Sequence, residues 1–206
     1  MTKLILARHG NTFRPEDTPV WVGARTDMPL VEKGLTQAHD LAEALKRSRL
    51  VIDSILTGPL QRTLATAKII GNKLGMADKV RIDPRLTEID YGAWEGKACE
   101  QIDALGHTAE REAWEKSSVY PASPGFAPAE PQIIADVQAI LNERSSGKGL
   151  VVTSNGILRY FARAALNAAD FPSFKVATGA VCVMERTPEG WRIGQWNKPP
   201  SVLTEG

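Results

Sequence analysis

The chain has 206 residues, 43% of them hydrophobic and 24% charged, and a formal net charge of +1. This fits one soluble globular domain with a sizeable core and excludes a disordered chain. The near-neutral balance gives no reason to expect a nucleic acid partner, so any preference for anions must be local. Two cysteines, Cys99 and Cys182, provide no disulfide framework and fit a reducing compartment. The N-terminal apolar run is too short for a secretory signal, and no stretch is long enough to span a bilayer. The expected location is the cytoplasm, with no membrane partner.

Lys3-Leu4-Ile5-Leu6-Ala7 reads as a buried strand, followed by a Pro-, Asp- and Gly-rich loop over 13–29. A helix is expected over 32–47, with Leu35, Ala38, Leu41, Ala42 and Leu45 at helical spacing. A second strand is expected over 51–56, then a turn at Thr57-Gly58-Pro59 and a helix over 60–74 that Gly75 stops. Val80-Arg81-Ile82 gives a short third strand. The stretch 94–131 loosens into a partly helical insertion, Pro-rich over 120–128, placed to cap a site. Pro131 opens a further helix carrying Ile133, Ile134, Val137, Ile140 and Leu141. Residues 149–153 form a buried strand, 157–166 a helix, and 180–185 with 191–196 a closing hairpin whose turn is Pro188-Glu189-Gly190. Cys182 alternates with apolar residues as a core position would. Trp191 and Trp196 fall on opposite faces by simple alternation, and the Lys198-Pro199-Pro200 tail reads as loose. Strands alternating with helices predict one α/β domain over 1–206: a three-layer α/β/α arrangement, the sheet mostly parallel with an antiparallel edge, and 94–131 as the capping insertion.

Polar residues of one type gather at three strand ends. The first gives Arg8, His9 and Gly10, with Asn11 and Thr12 beyond. The carboxyl edge of an open α/β sheet is where ligands bind. Gly allows close backbone approach to an anion, Arg offers a planar fork matched to phosphate, and a neutral His can attack phosphorus. The second end gives Arg62 in the first turn of a helix, where the dipole adds to its charge. The third gives Glu88 among apolar and aromatic neighbours, an environment that can keep a carboxylic acid protonated.

With Arg8-His9-Gly10-Asn11-Thr12, Gly58-Pro59-Leu60-Gln61-Arg62-Thr63 and Glu88-Ile89-Asp90-Tyr91-Gly92-Ala93-Trp94-Glu95-Gly96 in that order, the chain resembles the histidine phosphatase superfamily, in its phosphoglycerate mutase-like branch. The likeness runs from the first strand to at least Arg159. It implies that His9 is the phosphoryl-accepting nucleophile, that Arg8 and Arg62 clamp the phosphoryl oxygens, and that Glu88 is the general acid and then the base. Such chemistry rests on positioning and charge. Arginines can supply that charge, and no side-chain cluster has metal-ligand spacing, so neither a metal nor a cofactor is expected.

One segment departs from the pattern. The family places a second histidine in a Ser-His-Gly segment after a late strand, and here Thr153-Ser154-Asn155-Gly156 contains none. An ungapped alignment anchored on Arg159 puts Ser154 in its place. Matching Ser-Asn-Gly to Ser-His-Gly puts Asn155 there, which an amide donor suits and which leaves Gly156 in register. Both residues equally suit a helix cap.

Asn11 and Thr12 fit either the phosphate loop or ordinary turn satisfaction, and Trp21 and Arg25 either face substrate or pack. His39 reads as a surface residue. His107 reads the same way, though it lies in the insertion that could reach the site. The expected function is a phosphomonoesterase on a small phosphorylated metabolite, with inorganic phosphate as the released ligand. A phosphoester binder without turnover, favoured by the missing histidine, stays open, as does a mutase. A homodimer is also left open.

Overall fold

The structure, a computed structural model, describes residues 2–48 and 50–204. Six strands form one sheet: β1 (Lys3–Arg8), β2 (Ser54–Thr57), β3 (Val80–Ile82), β4 (Lys148–Thr153), β5 (Val181–Thr187) and β6 (Gly190–Lys198). Their order is β3-β2-β4-β1-β5-β6. The first four in that order run parallel, and β5 joins β1 antiparallel with β6 beyond it. The three-layer fold with an antiparallel edge therefore forms as its sequence predicts.

The layers arise from alternation along the central strands. Ile5 and Ala7 of β1 meet α1 (Glu32–Arg47) and α2 (Gln61–Leu74) through Leu41, Leu45, Ala67 and Ile70. Leu4 and Leu6 point the other way, into a larger core that holds α5 (Glu130–Glu143) and α6 (Asn155–Arg163). That second core also takes in Trp94, Ile102 and Trp114, so α3 (Cys99–Ala104) and α4 (Thr108–Ser117) pack there. Cys182 is fully buried, as its strand position requires.

Several expectations need correction. β2 begins at Ser54 because pairing with β4 begins there; Val51 is 79% exposed. Leu35 is 38% exposed, outside the apolar face of α1. α6 starts at Asn155 and ends at Arg163. Trp191 and Trp196 are both buried in one core, because a bulge lets Met184 pair with Ile193 while Val183 pairs with Gln195. The extra residue resets the alternation. The C-terminal segment is not loose: Pro200–Thr204 form a short 3-10 turn that buries Leu203 in the α1–α2 core. Among the described residues no helix is long and apolar enough to cross a membrane.

Candidate active site

The parallel register brings three strand ends level: Arg8 pairs with Thr153, and Thr57 with Val152. The residues just past these strands therefore emerge at one edge. His9 leaves β1 with its backbone N–H on Thr153 O at 3.2 Å, and is 5% exposed. Its Nδ1 lies 2.7 Å from Gly10 O. A carbonyl only accepts, so Nδ1 carries the proton and Nε2 keeps a lone pair. Burial first, then the charges of Arg8 and Arg62, hold the imidazole well below its ordinary pKa. His9 is therefore neutral at pH 7. Gly10 serves a different contact from the one expected. A Cβ there would strike the Gly34 backbone carbonyl, so the close approach is to α1 and not to an anion.

Arg8 Nη1 donates to Val176 O at 2.7 Å, and its Nε has no partner. Arg62, in the first turn of α2, is buried and donates to Thr26 O at 2.8 Å and Gly23 O at 3.1 Å. These carbonyls belong to the 13–29 loop, so one loop ties both terminal nitrogens of the guanidinium. Desolvation lowers both guanidinium pKa values, and the Glu88 charge opposes it.

Glu88 is 5% exposed, but its surroundings are not the apolar ones its sequence neighbours suggest. Its carboxylate accepts from Ile89 N at 2.9 Å and Gly156 N at 3.1 Å. The Tyr91 hydroxyl also bonds to it, and burial followed by the Glu88 charge holds that phenol well above its ordinary pKa. Glycine at 156 leaves room for this arrangement: a Cβ there would meet Glu88 Oε1 and lie 2.9 Å from the Tyr91 hydroxyl, so both side chains would have to shift.

These groups line one cleft of about 290 Å³. Arg8, His9, Arg62 and Glu88 share it with Asn11, Thr12, Trp21 and Asn155. Asn11 also closes its own turn, donating to Phe13 O at 2.7 Å. Asn155 Oδ1 accepts from Val176 N at 2.8 Å. That fixes the amide with its NH₂ on the opposite side. Ser154 is the N-cap residue of α6 but makes no side-chain cap bond; its Oγ is buried and unpartnered, and it does not line the cleft. Arg25 lies outside the cleft as well, because Asp90 and Gly92 O hold it, at 3.0 Å and 2.7 Å. His107 is half-buried rather than on the surface, and turns inward to accept from Trp94 Nε1 at 2.7 Å. His39 is exposed.

The structure adds wall residues that sequence reasoning does not assign: Tyr91, Arg159, Lys175, and Cys99 and Glu115 from the 94–131 stretch. Tyr91 lies inside the third motif and Arg159 closes the segment that departs from the pattern, which is the signal available for both. Lys175 carries none. Among the described residues no three His, Cys, Asp or Glu side chains gather where they could hold a metal ion.

The family model for the histidine phosphatase superfamily (branch 1) matches residues 4–199. The chain belongs to this superfamily. A curated relative, Probable phosphoglycerate mutase GpmB of Yersinia enterocolitica, is 35% identical over 133 residues, covering 62% of this chain and 54% of the relative. The chain thus spans about half the length of the curated relatives it matches. Among solved members of this fold, a mycobacterial glucosyl-3-phosphoglycerate phosphatase superimposes with a TM-score of 0.75 at 24% identity, covering 97% of this chain and 100% of that one. A Bacillus anthracis phosphoglycerate mutase gives 0.79 at 18% identity, covering 98% and 96%. At such identities the likeness to solved structures speaks for the superfamily fold.

Proposed function

We propose that this chain is a cytoplasmic phosphomonoesterase that hydrolyses a small phosphorylated metabolite through a phosphohistidine at His9. The observation that carries the reading is the neutral, tautomer-fixed His9, whose Nδ1 is committed to Gly10 O in a cleft with three arginines. The Nε2 lone pair attacks phosphorus and the ester P–O bond breaks. Glu88, reacting in its protonated form, gives that proton to the departing alkoxide. In the second half, Glu88 takes a proton from water, the oxygen attacks phosphorus, the P–N bond breaks and phosphate leaves. Arg8 and Arg62 hold the equatorial oxygens, where charge stabilisation matters most. Asn155, with its NH₂ unengaged beside the cleft, fills the donor role better than Ser154, whose hydroxyl lies outside it. Thr12 and Trp21 help shape the substrate end. The cleft volume suits a small ester. A second reading, binding without turnover, draws on the absence of a histidine from Ser154-Asn155-Gly156.

The experiment is turnover of a panel of phosphorylated metabolites by the wild type and by His9→Ala, with rapid-quench trapping of labelled enzyme. We expect an acid-labile, alkali-stable phosphoryl label on the wild type alone, and a rate loss of about 10³-fold or more in the variant. Phosphate binding with neither turnover nor label selects the binder.

A further inference from the structure

Arg159 sits on α6 one turn beyond Asn155 and is 1% exposed. Its Nη1 donates to Trp114 O and Ser118 Oγ, both at 2.7 Å, and its guanidinium stacks 4.8 Å from the Trp114 ring centroid. These contacts tie α6 to the end of α4. They leave Nε without a partner although it is shut away from water. A buried charged donor left unmade is unfavourable, and such an atom calls for a partner. The orphan is not isolated. Arg8 Nε and Ser154 Oγ are in the same condition, and both arginines line the cleft that holds His9. Arg8, Arg62 and Arg159 thus crowd around one carboxylate, Glu88, with the second wall carboxylate, Glu115, already paired to Arg111 at 2.7 Å. Burial lowers the Arg8 pKa most; Glu88 and then Tyr91 oppose it, and the charges of Arg62 and Arg159 add smaller lowerings, so three guanidinium groups share the field of one carboxylate.

Resting on the phosphatase reading, we propose that Arg159 is a third cationic anchor for the substrate dianion, entering from the Glu88 side of a cleft in which Ser154-Asn155 stands in place of a histidine. A planar fork anchored at one end by Trp114 and Ser118 is already oriented and loses little freedom on gripping an anion. Its task is binding and charge stabilisation; it transfers no proton.

The test reads the donor itself. Protein labelled with ¹⁵N at arginine Nε is titrated with inorganic phosphate and then orthovanadate, Arg159→Lys serving to assign the signal. We expect the Arg159 and Arg8 Nε–H signals to shift together on saturation. A shift at Arg8 with none at Arg159 overturns this proposal and leaves the phosphatase reading standing. No shift at either removes the anion site and the proposal with it. Phosphate affinity supplies the second readout: a loss of about 10- to 100-fold in Arg159→Gln, partly recovered in Arg159→Lys, which keeps the charge but not the fork. Equal losses in the Lys and Gln variants would mean a structural tie only.

Discussion

His9 combines burial with a fixed proton, and both have consequences that can be measured. Its folded pKa lies well below its ordinary value, with desolvation the first cause and Arg8 and Arg62 next. A folded value below the unfolded one, about 6.5, gives a stability contribution that is complete above that pH and lost as pH falls toward the folded value. NMR titration of the imidazole should therefore show no protonation midpoint near 6.5; a midpoint there or higher sinks the neutral-nucleophile argument. Gly156→Ala probes the neighbouring carboxylate. The new Cβ drives Glu88 away from the Gly156 N–H and the Tyr91 hydroxyl. We expect kcat to fall by about 10²-fold or more, the low end for a displaced acid–base group, with KM changed much less; an unchanged kcat would take Glu88 out of the chemistry. Arg8, His9, Arg62 and Glu88 are legible in the sequence because each lies in a short motif at a strand or helix end. The choice between Ser154 and Asn155 is not, since it turns on Val176, a residue of the distant 171–180 loop.

At the scale of elements, local pattern succeeds where a strand or helix is regular and fails where one residue breaks the period. α1 and β3 occupy their predicted spans because their patterns run without interruption. β6 does not obey alternation, because the bulge opposite Val183 and Met184 turns Trp196 to the same core as Trp191. Nothing in Trp191-Arg192-Ile193-Gly194-Gln195-Trp196 announces the bulge beyond the glycine. The C-terminal turn escapes local pattern for a related reason: two prolines read as a loose tail, whereas Leu203 beyond them is 5% exposed against the α1–α2 core. Leu203→Ala should lower stability by about 2 kcal/mol or slightly more, as partial loss of a buried leucine does. Urea unfolding reads this as a lower midpoint at constant slope. A midpoint equal to wild type would return the turn to the status of an unpacked tail.

The whole molecule depends on how the 94–131 stretch joins it. The sequence suggests a partly helical insertion that caps a site, and the packing makes that stretch part of the interior as well. Trp94 and Trp114 are fully buried in the same cluster as Leu4, Leu6 and Val151 of the central strands. Phe126 stacks edge-on against Trp94, Trp114 and Tyr91, and so links the loop to the neighbour of Glu88. One continuous core implies one unfolding transition. Trp94, Trp114, Trp191 and Trp196 all report on that core, while far-UV circular dichroism also reports α1 and α2 on the opposite face of the sheet. The two probes should give coincident urea curves. Trp114→Ala should shift both together by about 3–5 kcal/mol, the range for a buried large aromatic, because it removes the stack on Arg159 along with the core contact. A fluorescence transition that precedes the circular dichroism transition would mean that the 94–131 stretch opens separately. The cleft wall carrying Cys99 and Glu115 would then be a movable cover and not a fixed part of the site.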